Sequence, residues 1–436
     1  MFPARVRFIG EVRWQFLAFS LVVISAVFWC LFGRSVSWGW VEFDDKALVY
    51  SNEHLAGWHW ETVKWALTDT DFGRRWTPVL WLVAMIPGCK SAVGYHLLVL
   101  GLGWLLSCLL FVWFCRSFDA WFALLLALVF VCNPMRWEIF GWNMGFVYET
   151  CGICCVASCL VGSGFWCLAL AALGVLCYPI SAGVLLIQLW RCRRSWWCTG
   201  FGVGLVCLAV FQYSLRVRMG FIPMHYRWDV WWWSICHYVL SFAFPWVTSP
   251  VFPAGYYPLL AVGAGFVGLW AALHWRSLAV CLVVFSPVLA AGVTESFWYG
   301  ARYSVLFTMV CLWFFGRLLK WSGSGLRAGV LLVVVCVLGG FLVEGDDLLA
   351  HGNIYALERT IESARFVGVN TDIYKMVLGR LTPSERAAMR KYPLLRQYLT
   401  EYDDYVIWYI QATTPFQRVL FPRHFDDNFR LTVYSN

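Results

Sequence analysis

Apolar positions along this chain gather in discrete runs of the length a helix needs to cross a hydrocarbon layer of roughly 30 Å, with short polar stretches between them. Runs at about 16–32, 94–115, 118–133, 144–163, 165–178, 179–190, 197–213, 257–274, 278–293, 304–320 and 328–343 predict about eleven spanning helices, within a range of 10–12. Tyr178 and Pro179 split 165–190 into either one bent helix or two short ones, and 231–247 reads as a re-entrant or interfacial helix that could add a span. The expected fold is an all-α integral membrane protein. Residues 1–343 form its polytopic domain, 34–93 a first outer loop with interfacial helices, and 344–436 a small, mostly helical extracytoplasmic domain.

Composition sharpens this picture. Hydrophobic residues make up 61% of the 436 positions and charged residues 13%, against about a quarter charged in soluble domains. The 29 Trp, 34 Phe and 19 Tyr suit aromatic belts at headgroup level. A net charge of +8 does not gather on one basic face, so no nucleic-acid partner is expected. The 18 cysteines fall mainly inside apolar runs, as at Cys151, Cys154, Cys155 and Cys159, and read as small buried hydrophobes.

Loop charge orients the chain, because cytoplasmic loops hold the excess of Lys and Arg. The assigned spans place Arg5, Arg7, Arg13, Arg116, Arg191, Arg193, Arg194, Arg276, Arg317, Lys320 and Arg327 on one side, with only Glu11 and Asp119 against them. The expected location is a bacterial inner (cytoplasmic) membrane, with an uncleaved first helix, a cytoplasmic N-terminus and a periplasmic tail. In that tail, Thr382, Pro383, Ser384 and Glu385 make a helix start.

Candidate chemistry lies on the opposite side. The first outer loop opens with Glu42, Phe43, Asp44 and Asp45, then shows helical spacing through Leu55, Trp58, Val63, Trp65 and Leu67. It continues through Gly73, Arg74, Arg75, Trp76, Thr77 and Pro78 to Gly94, Tyr95 and His96. Asn133, Pro134, Met135, Arg136, Trp137 and Glu138 form a second outer loop, Glu149 sits just inside the next span, and Tyr299, Gly300, Ala301, Arg302 and Tyr303 stand at the outer end of a late one. Each has a plain reading too: Asp44 and Asp45 as helix caps, His96 as a helix-end hydrogen bonder, Arg302 as a side chain snorkelling to headgroups. Glu149 is the hardest to explain so, because an ionisable group within a span costs roughly 2.5 kcal/mol or more without a polar partner.

The order of these elements resembles the C-type (GT-C) membrane glycosyltransferases, in particular the branch holding the O-mannosyltransferases with tetratricopeptide repeats and their bacterial relatives. That family shows an acidic pair after helix one, an Arg and Pro around a YRPL-like segment, and a glycine-aromatic-His step into helix two. In this chain Trp76 and Thr77 separate Arg75 from Pro78, Asn133 stands where the family has His, and no repeat array follows. The resemblance implies an inverting transfer of sugar from a polyprenyl phosphate to a surface glycan, lipid or protein acceptor. It implies Asp44, Asp45 and Glu138 as catalytic carboxylates, and Arg75, His96, Glu149, Tyr299 and Arg302 as substrate-binding groups. A divalent metal (Mg or Mn) is compatible with the acidic pair, and the residues fix no cofactor. Rival readings are a lipid-linked glycan flippase or transporter, a ligase or acyltransferase using His225, Arg227 and His237, and a structural subunit.

Overall fold

The structure, a computed structural model, describes residues 14–37, 52–55, 57–68, 77–88, 91–133, 136–140, 145–162, 164–192 and 304–319, with isolated positions between 200 and 214, between 279 and 284, and at 329. Regular structure among the described residues is entirely helical. Among the described residues, two helices are long and apolar enough to cross a membrane: α1 (Trp14–Phe32), with 19 residues, and α4 (Ala92–Cys115), with 24. Between them lie α2 (Trp60–Thr68) and α3 (Thr77–Gly88), within the stretch expected to be the first outer loop. After α4 come α5 (Ala120–Val131), the short α6 (Trp137–Phe140), α7 (Gly145–Leu160), α8 (Phe165–Cys177), α9 (Ala182–Cys192) and α10 (Ser304–Leu319). The expected spans at 257–274 and 328–343 and the tail lie outside the described residues, apart from Gly329.

Local chemistry sets several boundaries. Ser91 Oγ accepts from the Gly94 N–H at 2.9 Å to start α4, and the Asp119 carboxylate accepts from the Phe122 N–H at 3.0 Å to start α5. Pro179 has no N–H to continue α8, and a short 3₁₀ turn at Pro179–Ser181 leads into α9. The sequence left one bent helix or two short ones open here. The structure has two, folded as a hairpin in which the Gly164 N–H reaches Cys192 Sγ at 3.3 Å.

Contacts along the helices give their directions. Phe16 meets Trp121 with ring centroids 4.6 Å apart, so the starts of α1 and α5 share one end; Phe32 meets Phe140 at 4.9 Å towards the other. Midway, Trp104 Nε1 of α4 donates to Ser25 Oγ of α1 at 2.8 Å. Helices α4 and α7 run parallel. Gly103 faces Glu149 and Leu106 faces Gly152, the same three-residue advance on both, and at the far end Arg116 donates to the Cys159 and Leu160 carbonyls. That last contact also caps the α7 C-terminus, where a cation meets the negative end of the helix dipole.

Small residues let these helices approach: Gly103 lies against Phe140 and Glu149, Gly152 against Leu106, and Gly174 against Cys155. Outward positions are strongly apolar, with Trp14 76%, Val22 66% and Trp166 68% exposed, joined by Phe19, Trp121 and Trp190. Such a surface is costly in water and neutral in lipid.

Candidate functional site: a buried polar cluster at the start of α7

Helix α4 is about 36 Å long at 1.5 Å per residue, and Gly103 is its twelfth residue of 24. Glu149, packed on Gly103, therefore sits level with the middle of α4. Its side chain is fully buried, and neither carboxylate oxygen has a hydrogen-bond partner among the described residues. A β-carbon built on Gly103 would stand 2.8 Å from Glu149 Oε1 and 2.7 Å from the Phe140 ring. Only glycine leaves room for both groups there.

Within the stretch expected as an outer loop, 133–143, Phe140 packs against that same Gly103. Helix α5 ends at Val131 after 12 residues, about half the length of α4. The Arg136 N–H then closes a turn on the Asn133 carbonyl at 2.8 Å, with proline second of the four residues as such turns favour. Asn133, Arg136, Ile139 and Phe140 are all buried. The reason is apolar packing: the Phe140 ring lies 5.1 Å from Phe28, 4.9 Å from Phe32 and 6.4 Å from Phe130. Those rings hold α6 between α1, α4 and α5.

Arg136 is held inside this aromatic cluster. Its Nη2 donates to Thr308 Oγ1 of α10 at 3.1 Å, and its guanidinium carbon lies 4.9 Å from the Phe130 ring centroid. A buried guanidinium needs such hydrogen bonds and ring faces to offset desolvation. Arg136 and Glu149 thus border the same Phe130–Phe140 ring pair, with Arg136 on the first ring and Glu149 beside the second.

Four elements converge on the first two turns of α7. Trp81 of α3 meets Phe146 edge-on at 4.9 Å, Gly103 of α4 and Phe140 of α6 enclose Glu149, and Val305 of α10 comes within 3.5 Å of a β-carbon built on Gly152. Of the residues singled out from sequence, Glu149 belongs to this cluster directly. His96 is fully buried on the Gly103 face of α4, seven residues or about 10 Å of helix away. Glu138 lies in α6. Asp44, Asp45, Arg75, Tyr299 and Arg302 lie outside the described residues. Along the chain, Arg75 precedes the first residue of α3 by two positions and Arg302 precedes that of α10 by two.

Sequence reasoning missed Arg136, Thr308 and Gly103. Arg136 stands among Asn133, Pro134 and Glu138 in the sequence, so assigning 133–143 to solvent left it no burial cost. Thr308 and Gly103 carried no signal apart from their three-dimensional partners. Among the described residues no three His, Cys, Asp or Glu side chains converge as a metal site. No protein-family model, curated protein or solved structure matches this chain.

Proposed function

We propose that this chain is a polytopic integral membrane glycosyltransferase of the inner membrane, N-terminus cytoplasmic and tail periplasmic, that moves a sugar from a polyprenyl phosphate to an acceptor on the outer face. The observation that supports this reading is the convergence at the start of α7. Each helix meeting there contains, or directly follows, a residue the family resemblance singles out: Arg75 before α3, His96 in α4, Glu138 in α6, Glu149 in α7 and Arg302 before α10.

In the proposed reaction Asp44 accepts the proton of the acceptor hydroxyl as its oxygen attacks the anomeric carbon. The bond from that carbon to the phosphate oxygen breaks, configuration inverts, and polyprenyl phosphate leaves. Asp45 or Glu138 orients the acceptor. Arg75 and Arg302 offset the charge on the leaving phosphate through bidentate hydrogen bonds. Glu149 and Arg136 supply the polar floor beneath them.

The depth of that floor favours one second reading. A fully buried carboxylate level with the middle of α4, with a buried guanidinium across the Phe130–Phe140 ring pair, is what a flippase or transporter of lipid-linked glycans places along its pathway. Purified protein in vesicles, supplied with a labelled polyprenyl-phosphate sugar and an acceptor extract, separates the two. Glycosyltransferase function requires labelled acceptor that disappears in Asp44→Asn; movement of the donor between leaflets without new glycosidic product would establish the transporter instead.

A further inference from the structure

The α8–α9 hairpin carries a small apolar core of its own, in which Cys167, Leu168 and Val175 of α8 pack with Leu185 and Cys192 of α9. The turn at Pro179–Ser181 closes one end of the hairpin. At the open end the Cys167 and Cys192 sulfurs stand 3.7 Å apart. They are two thiols in contact from different helices, and drawing them to the roughly 2.05 Å of a disulfide would join the start of α8 to the end of α9.

The two sulfurs differ in their surroundings. Cys167 is fully buried, and its thiol faces Gln188 Oε1 at 3.7 Å. Cys192 is the last residue of α9, is 6% exposed, and is followed in the sequence by Arg193 and Arg194. Its sulfur accepts a hydrogen bond from the Gly164 N–H at 3.3 Å. Gly164 immediately precedes α8 and has a φ of +133°, which L side chains rarely adopt. A backbone conformation that favours glycine thus holds a donor on Cys192, at the helix end where free N–H groups and the dipole favour negative charge.

We propose that Cys167 and Cys192 are a redox pair, in which Cys192 reacts first with a peroxide and Cys167 then closes a disulfide across the open end of the hairpin. In the first step the Cys192 thiolate attacks one peroxide oxygen and the O–O bond breaks. A sulfenic acid forms, and the departing hydroxide takes the proton that the thiol released and becomes water. In the second step the Cys167 sulfur displaces the sulfenic hydroxyl, which leaves with the Cys167 proton as a second water. Two thiols and one hydrogen peroxide thus give one disulfide and two waters. On the side that the basic loops mark as cytoplasmic the pair rests as a dithiol, and thiol–disulfide exchange returns it to that state after oxidation. Gln188 ties the pair to Ser158, near the end of α7 and away from Glu149, so the pair rests on the hairpin packing and not on sugar transfer.

Hydrogen peroxide added to the reduced, purified full-length chain in detergent tests this, read by mass spectrometry of the intact protein and of its peptides. The wild-type chain should lose about 2 Da as the disulfide closes, the first cross-linked peptides should join Cys167 to Cys192, and dithiothreitol should restore the starting mass. Cys167→Ser should stop at a sulfenic acid on Cys192, which dimedone traps. In Cys192→Ser, dimedone should label Cys167 about tenfold less, because reactivity follows exposure and thiolate character. A first cross-link elsewhere among the 18 cysteines, no cross-link in the wild-type chain, or equal dimedone labelling of the two variants would each overturn the proposal. The wild-type cross-link decides the pairing by itself, so the test stands even where a variant folds poorly.

Discussion

Gly103 of α4 lies directly against the carboxylate of Glu149 on α7, so close that a β-carbon on Gly103 would come within 2.8 Å of Glu149 Oε1. Two residues earlier, a β-carbon on Gly101 would meet nothing within 4 Å. The two glycines therefore predict opposite outcomes. Gly103→Ala forces Phe140 or Glu149 to shift and should destabilise the fold by about 1–3 kcal/mol. Gly101→Ala only removes backbone freedom and should stabilise α4 by up to about 1 kcal/mol. Melting temperatures of the two variants in one detergent check both signs.

Glu149→Gln keeps the side-chain volume and removes the charge. Because the carboxylate has no hydrogen-bond partner among the described residues, a neutral amide should leave the melting temperature unchanged or higher. Sugar transfer by the same preparation should fall about 100-fold. Undiminished transfer would show that Glu149 is only a packing residue.

Thr308 holds Arg136 from α10. Thr308→Val keeps the shape and deletes the acceptor, and hydrogen bonds to charged groups contribute about 1.5–3 kcal/mol. A loss of that size is expected in unfolding experiments, with Thr308→Ser recovering most of it. Equal losses in the two variants would mean that the threonine methyl, not its hydroxyl, is what α10 contributes.

Asp44→Asn and Asp45→Asn address the proposed base. Asparagine retains shape and cannot accept the acceptor's proton, and such a base contributes roughly 100- to 10,000-fold in rate. Asp44→Asn should lose transfer on that scale while binding labelled donor normally, and Asp45→Asn should lose less. If each only caps a helix, both should be nearly silent, since Asn caps about as well as Asp.

Topology is open to reporter fusions. Fusions after Arg116 and after Arg191 should report cytoplasm, and one at Asn436 should report the periplasm, from the alternation of basic loops. A cytoplasmic signal at Asn436 with the first two unchanged would place an additional span after Arg191, in or near 231–247.

What the sequence determined by itself is the helical character and where many of the helices lie. Apolar run length is local, so the runs at 94–115 and 118–133 fall on α4 and α5 to within a few residues, while the caps at Ser91 and Asp119 and the two-helix hairpin around Pro179 came from the structure. The cost of burying an ionisable group picked out Glu149 without any partner in view. Depth was not local. Hydropathy assigned 133–143 to the outer surface because Asn133, Pro134, Arg136 and Glu138 are polar. Only the tertiary structure shows Asn133, Arg136, Ile139 and Phe140 of that stretch buried, through the packing of Phe140 on Phe28 and Phe32. The partnerships of Gly103 with Glu149 and of Arg136 with Thr308 join residues 46 and 172 positions apart. Close approach and hydrogen bonding depend on which helices are neighbours, and periodicity along one chain carries no information on that.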